Sequence, residues 1–200
     1  MLHGPRYVKR LNYERALQIA RHECGHYIAA RALGFETGAL SVELLYPNGH
    51  RGGALITLPH PLRSIVEACS YLERRIQILY AGVLAESLKD GKINEEKARE
   101  YVSTGGSEDF AKVKELTHLL RNFRYCDEPV AEAQRHLDEI CERLWANTIR
   151  LILTEQDHIE GLARRLATGV TEFGMPSTIT PEQLGEMTAL NERFKAQNAS

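Results

Sequence analysis

Apolar residues recur three and four apart along most of this chain, the period of helices that bury one face. From Asn12 to Gly34, Ile19, His22, His26 and Leu33 fall on or beside one stripe, so two histidines lie on a face that also packs. Asn12 is a good N-cap and Gly34 a good terminator, which predicts the first helix over that span. Gly25 within it suits a place where another element approaches closely, because it has no side chain. The period then changes. Ser41 to Leu45 and Ala54 to Leu58 read as short strands joined by the turn-rich segment from Tyr46 to Gly53, a hairpin or small sheet.

Helical spacing returns from about Leu62 to Leu88, with Leu72, Ile76, Leu79 and Val83 as the apolar stripe and Glu86 continuing the line. A carboxylate there is costly unless something pairs with it or it reaches water at the helix end, and the pattern leaves both open. Lys89 to Gly106 is polar, ends in two glycines and reads as a loop. Ser107 then caps a helix carrying Phe110, Val113, Leu116 and Leu120, with Asp109 in the first turn, where the helix dipole favours negative charge. Pro129 to Leu153 and Thr154 to Leu166 are two further helices, the second stopped by Gly169. Thr180-Pro181-Glu182-Gln183 is a capping box that opens a last one. The expectation is a mainly α chain with a small β-hairpin or sheet near the first helix. It is read as a single domain over residues 1–200, with a core at about 12–125 and C-terminal helices at about 129–197.

Composition narrows the classes. A hydrophobic fraction of 43% with 26% charged residues is that of a water-exposed globular chain, and a net charge of −2 without a basic run gives no reason to expect nucleic acid. The apolar runs fall short of the eighteen or so residues of a membrane span. The N-terminus lacks the apolar core of a signal peptide, so a cytoplasmic protein is expected. The cysteines, Cys24, Cys69, Cys126 and Cys141, have no CxxC spacing and fit reduced, mostly buried thiols.

Chemistry enters with His22-Glu23-Cys24-Gly25-His26. Histidines one helical turn apart can share a zinc ion, and the glutamate between them, about 100° round the helix, can reach a water at that ion without being a ligand. That is the arrangement metal-assisted hydrolysis needs, with Glu23 as general base. Cys24 points away from the histidines and reads as core. A catalytic zinc takes three protein ligands, so one is missing from the motif. A metzincin extension would need glycine and histidine where the chain has Ala29 and Ala32, and a thermolysin-type glutamate on a second helix finds only Glu43, in a segment that reads as strand.

Several segments together resemble a known family. His22-Glu-Cys-Gly-His26 with the small residues after it looks like the HEAGH segment of the peptidase domain of FtsH-type zinc metalloproteases. Val42 to Pro47 and Gly53 to Pro59 are similar to that family's strand pair, and Leu79-Tyr-Ala-Gly-Val-Leu-Ala-Glu86 resembles its LAGRAAE helix. Gly105-Gly-Ser-Glu-Asp109-Phe110 resembles the family's GAxNDL segment, whose aspartate is the third zinc ligand, and the helices through Ile179 to Leu184 resemble its closing region more weakly. The resemblance implies zinc held by His22, His26 and Asp109, with Glu23 as base. It places Glu86 beside the site as support for a ligand or, alternatively, as the ligand in Asp109's place. Taken alone, Asp109 reads as a helix-start aspartate that only caps, and the order of the motifs reverses that reading.

The departures count too. No GxxxxGK[ST] is present, and Gly91-Lys92 lacks the upstream glycine and the following hydroxyl. The expectation is a stand-alone relative without the family's ATPase: a zinc endopeptidase acting on flexible or unfolded polypeptide, with Lys89 to Gly106 as a loop placed to shield the site. Two rivals remain, a regulatory metalloprotease with a single substrate and a non-catalytic zinc-stabilised adaptor of an ATPase or FtsH-like ring. A homo-oligomer or a separate ATPase partner is compatible with each.

Overall fold

In the computed structural model, which describes residues 5–103 and 108–185 (side chains from 12 to 102 and from 108 to 185), helix α1 spans Pro5–Ala32. It therefore starts well before the expected Asn12. A cap-type residue begins a helix only where the chain before it leaves the helix, and Pro5, with its fixed φ and missing N–H, suits a first helical position better. The other end is as expected. Gly34, at φ 79°, lets Phe35 N–H bond Ala30 O at 2.8 Å and Gly34 N–H bond Arg31 O at 3.1 Å, the paired bonds of a Schellman stop.

Strands β1 (Thr37–Leu45) and β2 (Gly49–Ile56) form the expected antiparallel hairpin, with Leu40 opposite Ala54 and Val42 opposite Gly52. Along β1, Leu40, Val42 and Leu44 are buried at alternate positions, the mark of a sheet with one face on the core. A third strand, β5 (Ser177–Ile179), which no sequence pattern announced, pairs antiparallel with the other side of β1. The sheet order is β2-β1-β5, which leaves β2 at an edge.

Helix α2 (Ile65–Glu86) begins later than Leu62 because Ser64 caps it, its Oγ accepting from Glu67 N–H at 3.2 Å. The span from Lys89 to Gly106 corrects the loop expectation. Strands β3 (Leu88–Lys89) and β4 (Lys92–Ile93) make a tight hairpin, and α3 (Glu95–Ser103) follows. Asp90 and Gly91 both have positive φ, the conformation that an Asp-Gly pair between strands favours. Residues 104–107, with the expected cap Ser107, lie outside the described residues.

Helices α4 (Glu108–Arg124), α5 (Ala133–Thr154) and α6 (Gln156–Gly169) follow, with a short 3-10 turn at Val130–Glu132 before α5. The last described element, α7 (Pro181–Gly185), opens with the expected capping box: Thr180 N–H bonds Gln183 Oε1 at 3.0 Å and Gln183 N–H bonds Thr180 Oγ1 at 3.4 Å.

Helix α1 lies among the sheet, α2 and α6, while α2 also carries α4 and α5 on its other sides. The α1–α2 contact is close because Gly25 faces Ala81 and Ala85. A Cβ on Gly25 would stand 2.4 Å from the Ala81 carbonyl oxygen, as the close-approach reading of Gly25 requires. All the described buried apolar residues except Leu88 form one hydrophobic cluster, to which Ile140, Leu144, Ile159 and Leu162 of the C-terminal helices contribute. Tyr80 and Trp145 meet edge to face at 5.1 Å, and Arg99 of α3 covers the indole at 4.9 Å, so α3 is held against α5. No helix among the described residues is long and apolar enough to cross a membrane.

Candidate functional site

His22 and His26 lie one turn apart on α1 and project toward α2, where the helix has no side chain to obstruct them. A Cβ on Gly82 would fall 2.5 Å from His26 Nε2 and 2.8 Å from His22 Nε2. From α4, Asp109 closes the group. His22 Nε2 and His26 Nε2 are 3.0 Å apart, and Asp109 Oδ2 is 3.1 Å from His26 Nε2 and 3.5 Å from His22 Nε2. Two helices distant in sequence, α1 and α4, thus bring together the three residues anticipated as ligands, and these atoms could jointly hold a metal ion.

The far side of each ring determines what the near side offers. His26 Nδ1 is 2.7 Å from the carbonyl oxygen of Ile78, which can only accept, so Nδ1 carries the proton and Nε2 presents its lone pair. His22 Nδ1 is 3.1 Å from Glu86 Oε2, and Glu86 Oε1 accepts from Gln18 Nε2 at 2.7 Å. Glu86 is therefore paired, behind His22 and away from the converging atoms. Gln18 is a residue that sequence reasoning missed, although its place one turn before His22 on the same face was a usable signal. Gly82, one turn before Glu86 on α2, was another.

Two inward lone pairs and a carboxylate oxygen repel one another unless a cation or a proton lies between them. Without a metal, His22 supplies the proton. Burial lowers its pKa, but hydrogen bonding to Asp109 and Glu86, with the Glu23 charge, raises it to about 10. Burial likewise pushes Asp109 up, and the two imidazoles outweigh that and hold it well below the usual carboxylate range. Glu86 is lowered too, His22 and Gln18 overcoming its burial.

Glu23 sits differently. Its carboxylate presses against β2 at Gly52, where a Cβ would stand 2.3 Å from Oε1. Burial raises its pKa, while the nearby His22 and His26 lower it. It makes no hydrogen bond or ion pair with a described residue, and it lines the same groove as His22 and His26. Cys24 is wholly buried, its thiol pushed up by burial, and it stands outside the group, in agreement with the core reading.

Two openings meet at these residues. A groove of about 380 Å³ runs between the edge strand β2 and α2, lined by Glu23, His26, Gly53, Leu55, Arg75 and Lys112 among others. A second pocket of about 270 Å³ lies on the other side of His22 and Asp109, walled by Leu79, Val83, Val102, Phe110 and Val113, so α3 contributes a wall where a loop was expected. Gly91-Lys92, tested as a phosphate-loop remnant, occupies the β3–β4 turn and the start of β4, not the strand-to-helix turn that cradles phosphates.

No protein-family model matches the chain, and no curated protein matches it.

Proposed function

We propose that this chain is a zinc-dependent endopeptidase that hydrolyses peptide bonds in flexible or unfolded polypeptides. It would be similar in kind to the peptidase domain of FtsH-type metalloproteases, whose motif order it resembles. The observation that carries the reading is the spacing of the three inward atoms, 3.0, 3.1 and 3.5 Å. Nitrogen and oxygen ligands about 2.0–2.1 Å from a tetrahedral ion stand about 3.3–3.4 Å from one another. Two imidazoles and one carboxylate with those separations fit one face of a zinc tetrahedron and leave the fourth corner to solvent.

Zinc bound by His22, His26 and Asp109 would supply a Lewis acid that polarises a peptide carbonyl and acidifies water. The chain's own groups account for the rest. Glu23, which pairs with no described residue and whose pKa is raised by burial, takes the proton of the attacking water and passes it to the leaving amine. Glu86, itself held by Gln18, fixes the His22 tautomer, as the Ile78 carbonyl fixes that of His26. The open edge of β2 along the groove suits an extended segment, which would add as a further strand and bring its backbone past Glu23. A tightly folded substrate hides that backbone, and the chain has no phosphate loop with which to unfold one.

The test uses the purified chain alone, with metal analysis, a casein-like unfolded substrate and a stable globular one, with and without ATP. The expected result is about one zinc per chain and ATP-independent cleavage of the unfolded substrate only. Glu23→Gln should abolish cleavage and keep zinc, whereas His22→Ala loses both. A Glu23→Gln variant as active as the parent would remove the hydrolase mechanism. Full zinc occupancy with no cleavage of either substrate would favour the adaptor or the single-substrate reading.

A further inference from the structure

Arg75 stands out among the arginines of the core face. Arg21 is held by Glu160, Arg124 and Arg143 by Glu73, Arg74 by the Leu33 carbonyl, and Arg121 by the Pro129 carbonyl. Arg75 is half-buried and makes no hydrogen bond or ion pair with a described residue, yet it lines the groove that holds Glu23 and the three converging residues. A guanidinium stays charged in proteins, and one that is partly desolvated without a partner carries an unrepaid cost. Burial does lower its pKa, with Asp109 and Tyr71 acting the other way. Asp109 is committed to the imidazoles, so it does not satisfy the guanidinium's donors. Lys112, also in the groove, adds a second positive charge at 3.7 Å from Asp109 Oδ1.

We propose that Arg75 is the residue by which the groove selects its substrate, taking a carboxylate carried by the bound peptide about three residues from the scissile bond. The inference rests on the peptidase reading for the word scissile, but the recognition it describes needs only a peptide in the groove. The distance follows from the helix. Arg75 precedes Gly82, which lies beneath the imidazoles, by seven positions, about 10 Å at 1.5 Å per residue. An extended strand advances about 3.3 Å per residue, so about three residues separate the two points. The planar fork of a guanidinium meets a carboxylate through two parallel hydrogen bonds, which supplies the acceptors that the Arg75 donors now lack. The carboxylate is either an acidic side chain or the free end of a chain.

The test measures binding of labelled nine-residue peptides to the zinc-loaded Glu23→Gln form of the whole chain by fluorescence anisotropy. In one arm the peptides are acetylated and amidated, and a single glutamate is walked through an otherwise neutral sequence against glutamine at the same place. In the other, the neutral peptide is compared with free and amidated C-termini. The expected result is a preference of roughly tenfold for the carboxylate at one or two adjacent positions, or for the free terminus. That ratio should fall to about one in Arg75→Gln and recover in part in Arg75→Lys. Zinc content and circular dichroism check that each variant is folded. Equal binding of acidic and neutral peptides in both arms, a preference that survives Arg75→Gln, or no peptide binding at all overturns the proposal. An Arg75-dependent preference in a chain that cleaves nothing would leave this recognition standing and remove the peptidase reading.

Discussion

Gly82 determines how closely the two imidazoles can lie over α2. Any side chain there would occupy the space of His26 Nε2, only 2.5 Å from the position of a Cβ, and a rigid ring held at Nδ1 by Ile78 O cannot swing aside without losing that bond. Gly82→Ala is therefore expected to lose metal while the remainder of the fold persists, read as metal content alongside circular dichroism. Glu86 touches His22 Nδ1, on the far side of the ring from the converging atoms, so any effect it has on a metal there would pass through His22. Glu86→Ala should weaken metal affinity by about 10–100-fold, measured by chelator competition, and Gln18→Ala should weaken it less, since it removes only one of the bonds that orient Glu86. If Glu86→Ala leaves the affinity unchanged, the carboxylate behind His22 has no part in holding the ring.

At the scale of elements, the site depends on α1 lying close to α2 and on α3 remaining against α5. Alanine at Gly25 puts a methyl 2.4 Å from the Ala81 carbonyl oxygen, so the helices must part. Overpacking of this kind costs about 1–3 kcal/mol. Urea unfolding of Gly25→Ala should show that loss, and because α1 carries two of the three proposed ligands and α2 the groups that orient them, metal affinity should fall with it. Trp145 is the anchor for α3, beneath Arg99 and with Nε1 donating to Glu95 Oε2 at 3.3 Å. Trp145→Ala should cost about 3–5 kcal/mol, as loss of a buried indole does. Proteolytic nicking of this variant is expected first between Glu95 and Ser103, because α3 loses its main partner; uniform susceptibility along the chain would argue against that role.

For the whole molecule, metal and pH act on one charge balance. His22 is raised from 6.5 to about 10, so in the metal-free protein its contribution to stability is fully present below pH 6.5 and is lost as pH rises through about 10. Asp109, depressed by the same contacts, works in the opposite direction: its contribution is lost only in strong acid. Metal binding needs neutral His22 and displaces that proton, so affinity should increase with pH across the neutral and alkaline range. A metal held at a hundred times its Kd adds about 2.7 kcal/mol, which is about 5–10 °C in Tm for a chain of this size. Scanning calorimetry should find the metal-free Tm falling from pH 6.5 towards 10, with the gain from zinc larger at the alkaline end. A zinc gain that is the same at every pH would mean that His22 is not protonated in the metal-free site.

Local signals made the helices, the hairpin and the last capping box legible, because a period of 3.6 or 2 and a few turn and cap residues act over one or two turns of chain. The motif at His22 to His26 belongs to that class, since a single helix turn places both rings on one face. The errors were of the same local kind. Asp90-Gly91 between Leu88 and Ile93 signals a tight turn, and its isolation in a polar stretch concealed both the small hairpin and α3. The strand Ser177–Ile179 could not be read locally, because three residues become a strand only when the free edge of β1 meets them. The same holds for the site. Spacing within one helix determines the His22–His26 pair, but nothing near Asp109 separates a ligand from a helix-start aspartate, and nothing near Glu86 separates a paired carboxylate from a solvated one. The surroundings of both carboxylates were decided by the packing of α1, α2 and α4, which sets Asp109 Oδ2 against both Nε2 atoms and Glu86 behind His22. The position of Arg75 is likewise a tertiary fact: a sequence shows a positive charge, and only the surrounding fold shows that it has no partner among the described residues.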